Sequence, residues 1–162
     1  MEIGISDKSG TTEFTIDKSS YKSSIESRLI SEEEIDHKET IRIDTLDNVF
    51  RNIIENKKRV IIKIDVEGHE FHVLNGATRL ISTLYPTMII EVNEKGNHFE
   101  HFVYFLGNFE YDIFEIGLFA KRVYFRRIEK SQISSRQVIK YNDFLITREK
   151  QLIRIIREYA LV

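Results

Sequence analysis

Runs of apolar residues divide the chain into short segments whose spacing predicts their structure. Val60–Val66 (VIIKIDV) is a nearly continuous β-branched run, the pattern of a strand covered on both faces. Thr87–Val92 (TMIIEV) is a second such strand, opened by Pro86, the only proline. Between them Val73, Leu74, Ala77, Leu80, Ile81 and Leu84 fall at helical spacing, which predicts a helix from about Glu70 to Leu84. A strand, a helix and a strand with so long a crossover make a βαβ unit of parallel strands.

Upstream, Leu46, Val49, Phe50, Ile53 and Ile54 share one stripe, predicting a helix over Leu46–Lys57 with Thr45 as its N-cap. Glu2–Asp7 and Thr11–Asp17 read as two strands joined by a hairpin turn at Lys8–Ser9–Gly10. Thr40–Asp44 reads as a short strand. The stretch 18–39 is polar and without period, a long loop with a short helix after Ser31, where Ser31 and Glu34 match a capping box. Loops of that length inside a compact domain are where lids and binding segments occur. Downstream, His98–Leu106 is expected to be helical, with His98 and His101 one turn apart. Asp112–Ile116 and Arg122–Arg127 are expected to pair antiparallel. Leu152, Ile153, Ile156, Tyr159 and Ala160 mark an amphipathic closing helix over 147–161. The expected class is α/β, with a mostly parallel sheet and an antiparallel C-terminal pair.

Composition narrows the picture. At 162 residues, 41% hydrophobic and 31% charged, the chain is expected to be one domain spanning 1–162. No apolar run approaches the roughly 18 residues of a membrane span, and the polar start lacks a signal-peptide core. The absence of cysteine excludes disulfide scaffolds, thiolate zinc sites and cysteine nucleophiles, and a cytoplasmic address is expected. The net charge of −2 hides an asymmetry: from Lys121 onward there are 11 Lys/Arg against 4 Asp/Glu. A solvated basic face explains this more simply than a nucleic-acid partner.

In open parallel sheets, ligands bind beyond the carboxyl ends of the strands. Two predicted strands deliver carboxylates there: Asp65 and Glu67 after VIIK, and Glu91 after TMII. They sit in or just after runs too apolar for surface, so each is expected to have a partner, a ligand or a wet cleft. Gly68 beside them allows close backbone approach. Lys63, inside the strand, either pairs with one of these acids or snorkels to water.

Thr45–Leu46–Asp47 (TLD), Lys63–Glu70 (KIDVEGHE), Leu74–Ala77 (LNGA) and Pro86–Val92 (PTMIIEV) together resemble the FkbM-type methyltransferase domain. The N-terminal IGISDKSGTTEFTI is similar to the family's stretch after its third strand. The resemblance covers about residues 3–95. It implies a Rossmann-like class I fold that transfers a methyl group from S-adenosylmethionine to a hydroxyl of a sugar or other small molecule. It also implies that Asp65 borders methyl donor and acceptor, contributing to both cofactor binding and catalysis, while Glu67 and Glu91 orient or deprotonate the acceptor. The family holds its cofactor on a glycine-rich loop upstream of the matching piece. The seven glycines here stand at least six residues apart and build no such cradle. The resemblance therefore implies a domain truncated on its N-terminal side, with a second chain supplying the missing half or self-association through an open sheet edge. The alternative is a non-catalytic binding module derived from such an enzyme.

Rival sites are weaker. The metalloprotease helix needs histidines four apart, whereas His69 and His72 are three apart. A looser site from Asp65, Glu67 and His69 is set aside, and no metal is expected. No nucleophile elbow and no phosphate loop occur. Lys121–Arg127 (KRVYFRR) suits an ordinary strand as well as an RNA-stacking one, and the basic closing helix suits core packing better than a membrane surface.

Overall fold

A computed structural model describes residues 3–19, 23–26, 30–56, 59–92, 97–119, 122–128 and 142–159. The chain is mixed α/β and divides into two compact units, residues 1–58 with 65–83, and residues 59–64 with 84–162.

In the first unit β1 (Gly4–Ile5), β2 (Gly10–Asp17) and β3 (Ile35–Asp44) form a sheet in the order β1-β3-β2. The hairpin expected at Lys8–Gly10 does not form. Instead β3 lies between the other two, parallel to β1 and antiparallel to β2, with Gly4 and Gly10 both in register with Ile43. The sequence pattern hides half of β3 because His37–Thr40 are exposed on both faces, so Ile35–Glu39 read as loop. A single 3-10 turn, Glu32–Glu34, precedes it, and the Ser31 side chain does not cap that turn.

The two long helices predicted from periodicity are each broken. The first becomes α1 (Leu46–Val49) and α2 (Arg51–Glu55), divided at Phe50. Thr45 caps α1 as expected, its Oγ1 accepting the Asn48 amide at 3.2 Å. The second becomes α3 (Glu70–Asn75) and α4 (Thr78–Leu84), divided at Gly76–Ala77. A Cβ on Gly76 would stand 2.1 Å from the Ser6 carbonyl oxygen, so only glycine lets the two backbones approach. The Gly76 carbonyl accepts the Asp47 amide at 2.9 Å. The Asp47 carboxylate in turn accepts the Arg79 and Leu80 amides, each at 2.8 Å. Those are orphan donors of the first turn of α4, so Asp47 of the TLD motif holds both Gly76 of LNGA and the helix start that follows it.

The second unit is a five-stranded sheet in the order β4-β5-β8-β6-β7, made of Ile61–Ile64, Thr87–Glu91, Asp143–Thr147, Asp112–Phe119 and Arg122–Arg127 respectively. The β4–β5 pair is parallel, from Ile61↔Thr87 to Ile64↔Ile90, as the βαβ reading requires. The other three pairs are antiparallel. The expectation of a mostly parallel sheet is thereby corrected. The cause is β8 (DFLIT), unforeseen in sequence because five residues, four of them buried, show no alternation. It inserts between β5 and β6 and runs against both. A second correction concerns β4: as an edge strand among those described it is half-covered, with Ile61 78% exposed and Lys63 exposed.

Helices α5 (Asn97–Gly107) and α6 (Lys150–Tyr159) complete this unit. The Phe99, Phe102 and Phe144 rings meet at centroid distances of 5.1 to 6.0 Å. Ile153 and Ile156 of α6 are buried with Phe114 and Leu145, so the apolar stripe of the closing helix serves the core. Ala160 and Leu161, expected at the end of that helix, and Lys121 of the basic segment lie outside the described residues. No described helix is long and apolar enough to cross a membrane.

Candidate functional site

The turn after β4 carries the densest chemistry. Asp65 is exposed and Glu67 half-buried. The chain reverses at Glu67 (φ 46°) and Gly68 (φ 92°), both in the left-handed region. Glycine enters that region freely, whereas glutamate there is disfavoured, so the surroundings must hold it. They do. The Ser24 hydroxyl donates to the Glu67 carbonyl at 2.9 Å, the Gly68 amide donates to Glu70 Oε1 at 2.9 Å, and the His69 amide donates to the Val66 carbonyl at 3.3 Å.

Glu91, the last residue of β5, is half-buried and registers with Asp143 of β8. Asp65 and Glu67 belong to the first unit and Glu91 to the second. Asp65 is exposed although it follows the buried Ile64 at the end of β4. Among the described residues the carboxylates that are buried are others: Asp17, Glu70 and Glu115.

Immediately after the turn, a polar network centres on His69, which is buried, and His72, which is partly exposed. The i, i+3 spacing stacks their rings at a centroid distance of 4.5 Å and an interplanar angle of 16°. His69 Nδ1 lies 2.9 Å from Glu26 Oε1, and His69 Nε2 lies 2.9 Å from Ser6 Oγ. His72 Nδ1 donates to Asp7 Oδ2 at 2.9 Å. Burial holds His69 below the usual imidazole range, against the opposing pull of Glu26. The hydrogen bond from His72 holds Asp7 below the usual carboxylate range. Sequence reasoning singled out the two histidines but missed Ser6, Asp7 and Glu26. Glu26 stands 43 residues from His69 inside a stretch with no pattern, so no local spacing links them.

The sequence matches the methyltransferase FkbM domain over residues 2–141. The chain belongs to that family. Comparison with curated proteins and with solved structures gave no match.

Two other features of this FkbM domain bear on where its chemistry lies. A groove of about 560 Å³ in the second unit is lined by Arg59, Ile61, Tyr85, Thr87, Leu152 and others. Ile61 and Thr87 begin β4 and β5, so the groove lies at the amino ends of the parallel strands, opposite to the edge where open sheets bind ligands. Two arginines of strand β7, the basic aromatic segment, pair with acids of β6. Arg126 pairs with the buried Glu115, and Arg127 reaches Asp112 at 2.5 Å.

Proposed function

We propose that this FkbM domain is a class I, Rossmann-like methyltransferase that uses S-adenosylmethionine to methylate a hydroxyl of a sugar or other small polyol. The observation that carries the reading is the KIDVEGHE segment within the family match: it ends a parallel strand and turns left-handed at Glu67 and Gly68. An acidic donor set fits a cofactor whose reactive sulfur is cationic. When bound, that cofactor supplies a methyl group activated on a sulfonium. Asp65, the first residue past β4, borders donor and acceptor. Glu67 orients the acceptor or takes its hydroxyl proton on a carboxylate oxygen. In-line alignment of the acceptor supplies much of the rate.

The test is transfer of labelled methyl to a panel of sugars and polyols, with binding of S-adenosylhomocysteine followed by calorimetry. Asp65→Asn is expected to abolish transfer while the folded spectrum is retained, since Asp65 is exposed. Full transfer by that variant would overturn the assignment.

The second reading, a non-catalytic module, draws on the exposed Ile61 of edge strand β4. Its occupant would be a second copy of this chain. A folded chain that binds no cofactor, yet sediments as a dimer broken by Ile62→Lys, would favour it.

A further inference from the structure

We propose that Glu26, His69 and His72 form a binding site for one divalent transition-metal ion of the zinc class. The proposal is independent of methyl transfer, because it concerns side chains that the reading above does not use.

The donor atoms of these three residues all lie within 4.8 Å of one another. A tetrahedral ion about 2.1 Å from each donor spaces its donors about 3.4 Å apart. The separations here bracket that value: Glu26 Oε1 is 2.9 Å from His69 Nδ1 and 3.9 Å from His72 Nε2. Two imidazoles and one carboxylate select zinc and its neighbours over calcium or magnesium, which take oxygen donors. Three protein donors leave a fourth position for water, and half-exposed His72 leaves a path for the ion.

The outer partners provide the second, independent observation. A metal-bound histidine ordinarily donates its other N–H to an outer group that fixes its tautomer. Asp7 does this for His72: Nδ1–H donates to Oδ2, so the lone pair of the neutral ring is on Nε2, the nitrogen 3.9 Å from Glu26 Oε1. Ser6 does it for His69. Its hydroxyl lies 2.9 Å from Nε2 and also reaches Asp7 Oδ1 at 3.2 Å. Without metal, the His69 proton is on Nδ1 and points to Glu26, and Ser6 donates to Nε2. With metal, the ion replaces the Nδ1 proton, Nε2–H donates to Ser6, and Ser6 donates to Asp7. The neutral ring only exchanges tautomer, so it loses no net proton, and both oxygens of Asp7 are then used. The serine hydroxyl lets the ring exchange tautomers without leaving a buried polar atom unpaired.

The test is titration of the whole chain with Zn²⁺ against a chromogenic chelator. One ion per chain with a submicromolar Kd is expected. His72→Ala and Glu26→Gln should each weaken binding at least tenfold, and Asp7→Asn by about 10–100-fold. Circular dichroism checks that each variant is folded, and His72 is exposed enough for its loss to be tolerated. His37→Ala is the control, because that exposed histidine also lies between carboxylates, Asp36 and Glu39. No binding by the folded chain would overturn the proposal. So would wild-type affinity in both His72→Ala and Glu26→Gln, or loss of binding in His37→Ala.

Discussion

Ser6, Thr15, Asp17, Ser24, His69 and Glu70 are buried in the first unit, whereas Glu115 and Thr147 are the buried polar residues described in the second. Phe99, Phe102, Leu106, Phe114, Phe144 and Ile146 are all buried in the second unit, whereas the buried apolar residues described in the first include no aromatic ring. Both units bury an apolar core, but the first buries more polar groups with it. Apolar burial is roughly proportional to area and indifferent to pH near neutrality. A buried polar network depends on every partner being present, and on protons. The carboxylates at the end of β4 and the two stacked histidines all belong to the polar unit.

The comparison is broken most directly in the apolar unit. Phe144 of β8 is fully buried against Phe99 and Phe102. Phe144→Ala is expected to lose about 3–5 kcal/mol, read from the urea unfolding midpoint. A loss below about 1 kcal/mol would mean that β8 does not anchor the sheet.

That strand also shows where the sequence stopped being legible. The segments with long periodic patterns were readable: β4, β5, α5, the β6–β7 pair and α6 all lie close to their predicted places. The breaks in the helices were not, because they come from tertiary contact. Gly76 looks like any helix-interior glycine until the Ser6 carbonyl is found against it. The exposed half of β3 carries no apolar alternation, and β8 is too short to show any. Asp65, Glu67 and Glu91 could be singled out as candidates because each lies at or just past the end of an apolar run. Ser6 and Glu26 could not, because their link to His69 crosses 63 and 43 residues without a spacing rule.

A smaller effect sharpens the contrast at the polar exception of the second unit. Glu115 is completely buried and paired with Arg126, whose side chain is 38% exposed. Arg126 Nε donates to Glu115 Oε2 at 2.8 Å. Arg126→Ala leaves a buried carboxylate without this partner and should cost about 2–3 kcal/mol, below the roughly 3–5 of a fully buried pair because the arginine is partly in water. The double variant Glu115→Leu/Arg126→Ala should recover part of that loss in the same unfolding assay. If the double variant were the less stable, the pair would be more than a compensated defect in an apolar core.

The smallest effect separates the units by pH in metal-free protein. His69 faces Glu26, Asp7 and His72, and burial keeps its folded pKa below the ordinary imidazole value of 6.5. A group of that kind contributes stability that is present above the unfolded pKa and lost as the pH falls through the folded one. Asp7, also depressed, adds a loss of the same sign at lower pH, as acid passes below 3.8. His37 has the opposite sign, because hydrogen bonds to Glu39 and Asp36 raise its pKa. Its contribution is full below 6.5 and fades as the pH rises through the folded value, and full exposure screens it to little. In the second unit Tyr111 is pushed up by burial and does not titrate on the acid side. Stability is therefore expected to fall as the pH is lowered from 7 toward 5, and His69→Gln should flatten that slope while His37→Gln slightly steepens it. Unfolding midpoints across this range decide the matter: an unchanged slope in His69→Gln would place the acid sensitivity outside the histidine network.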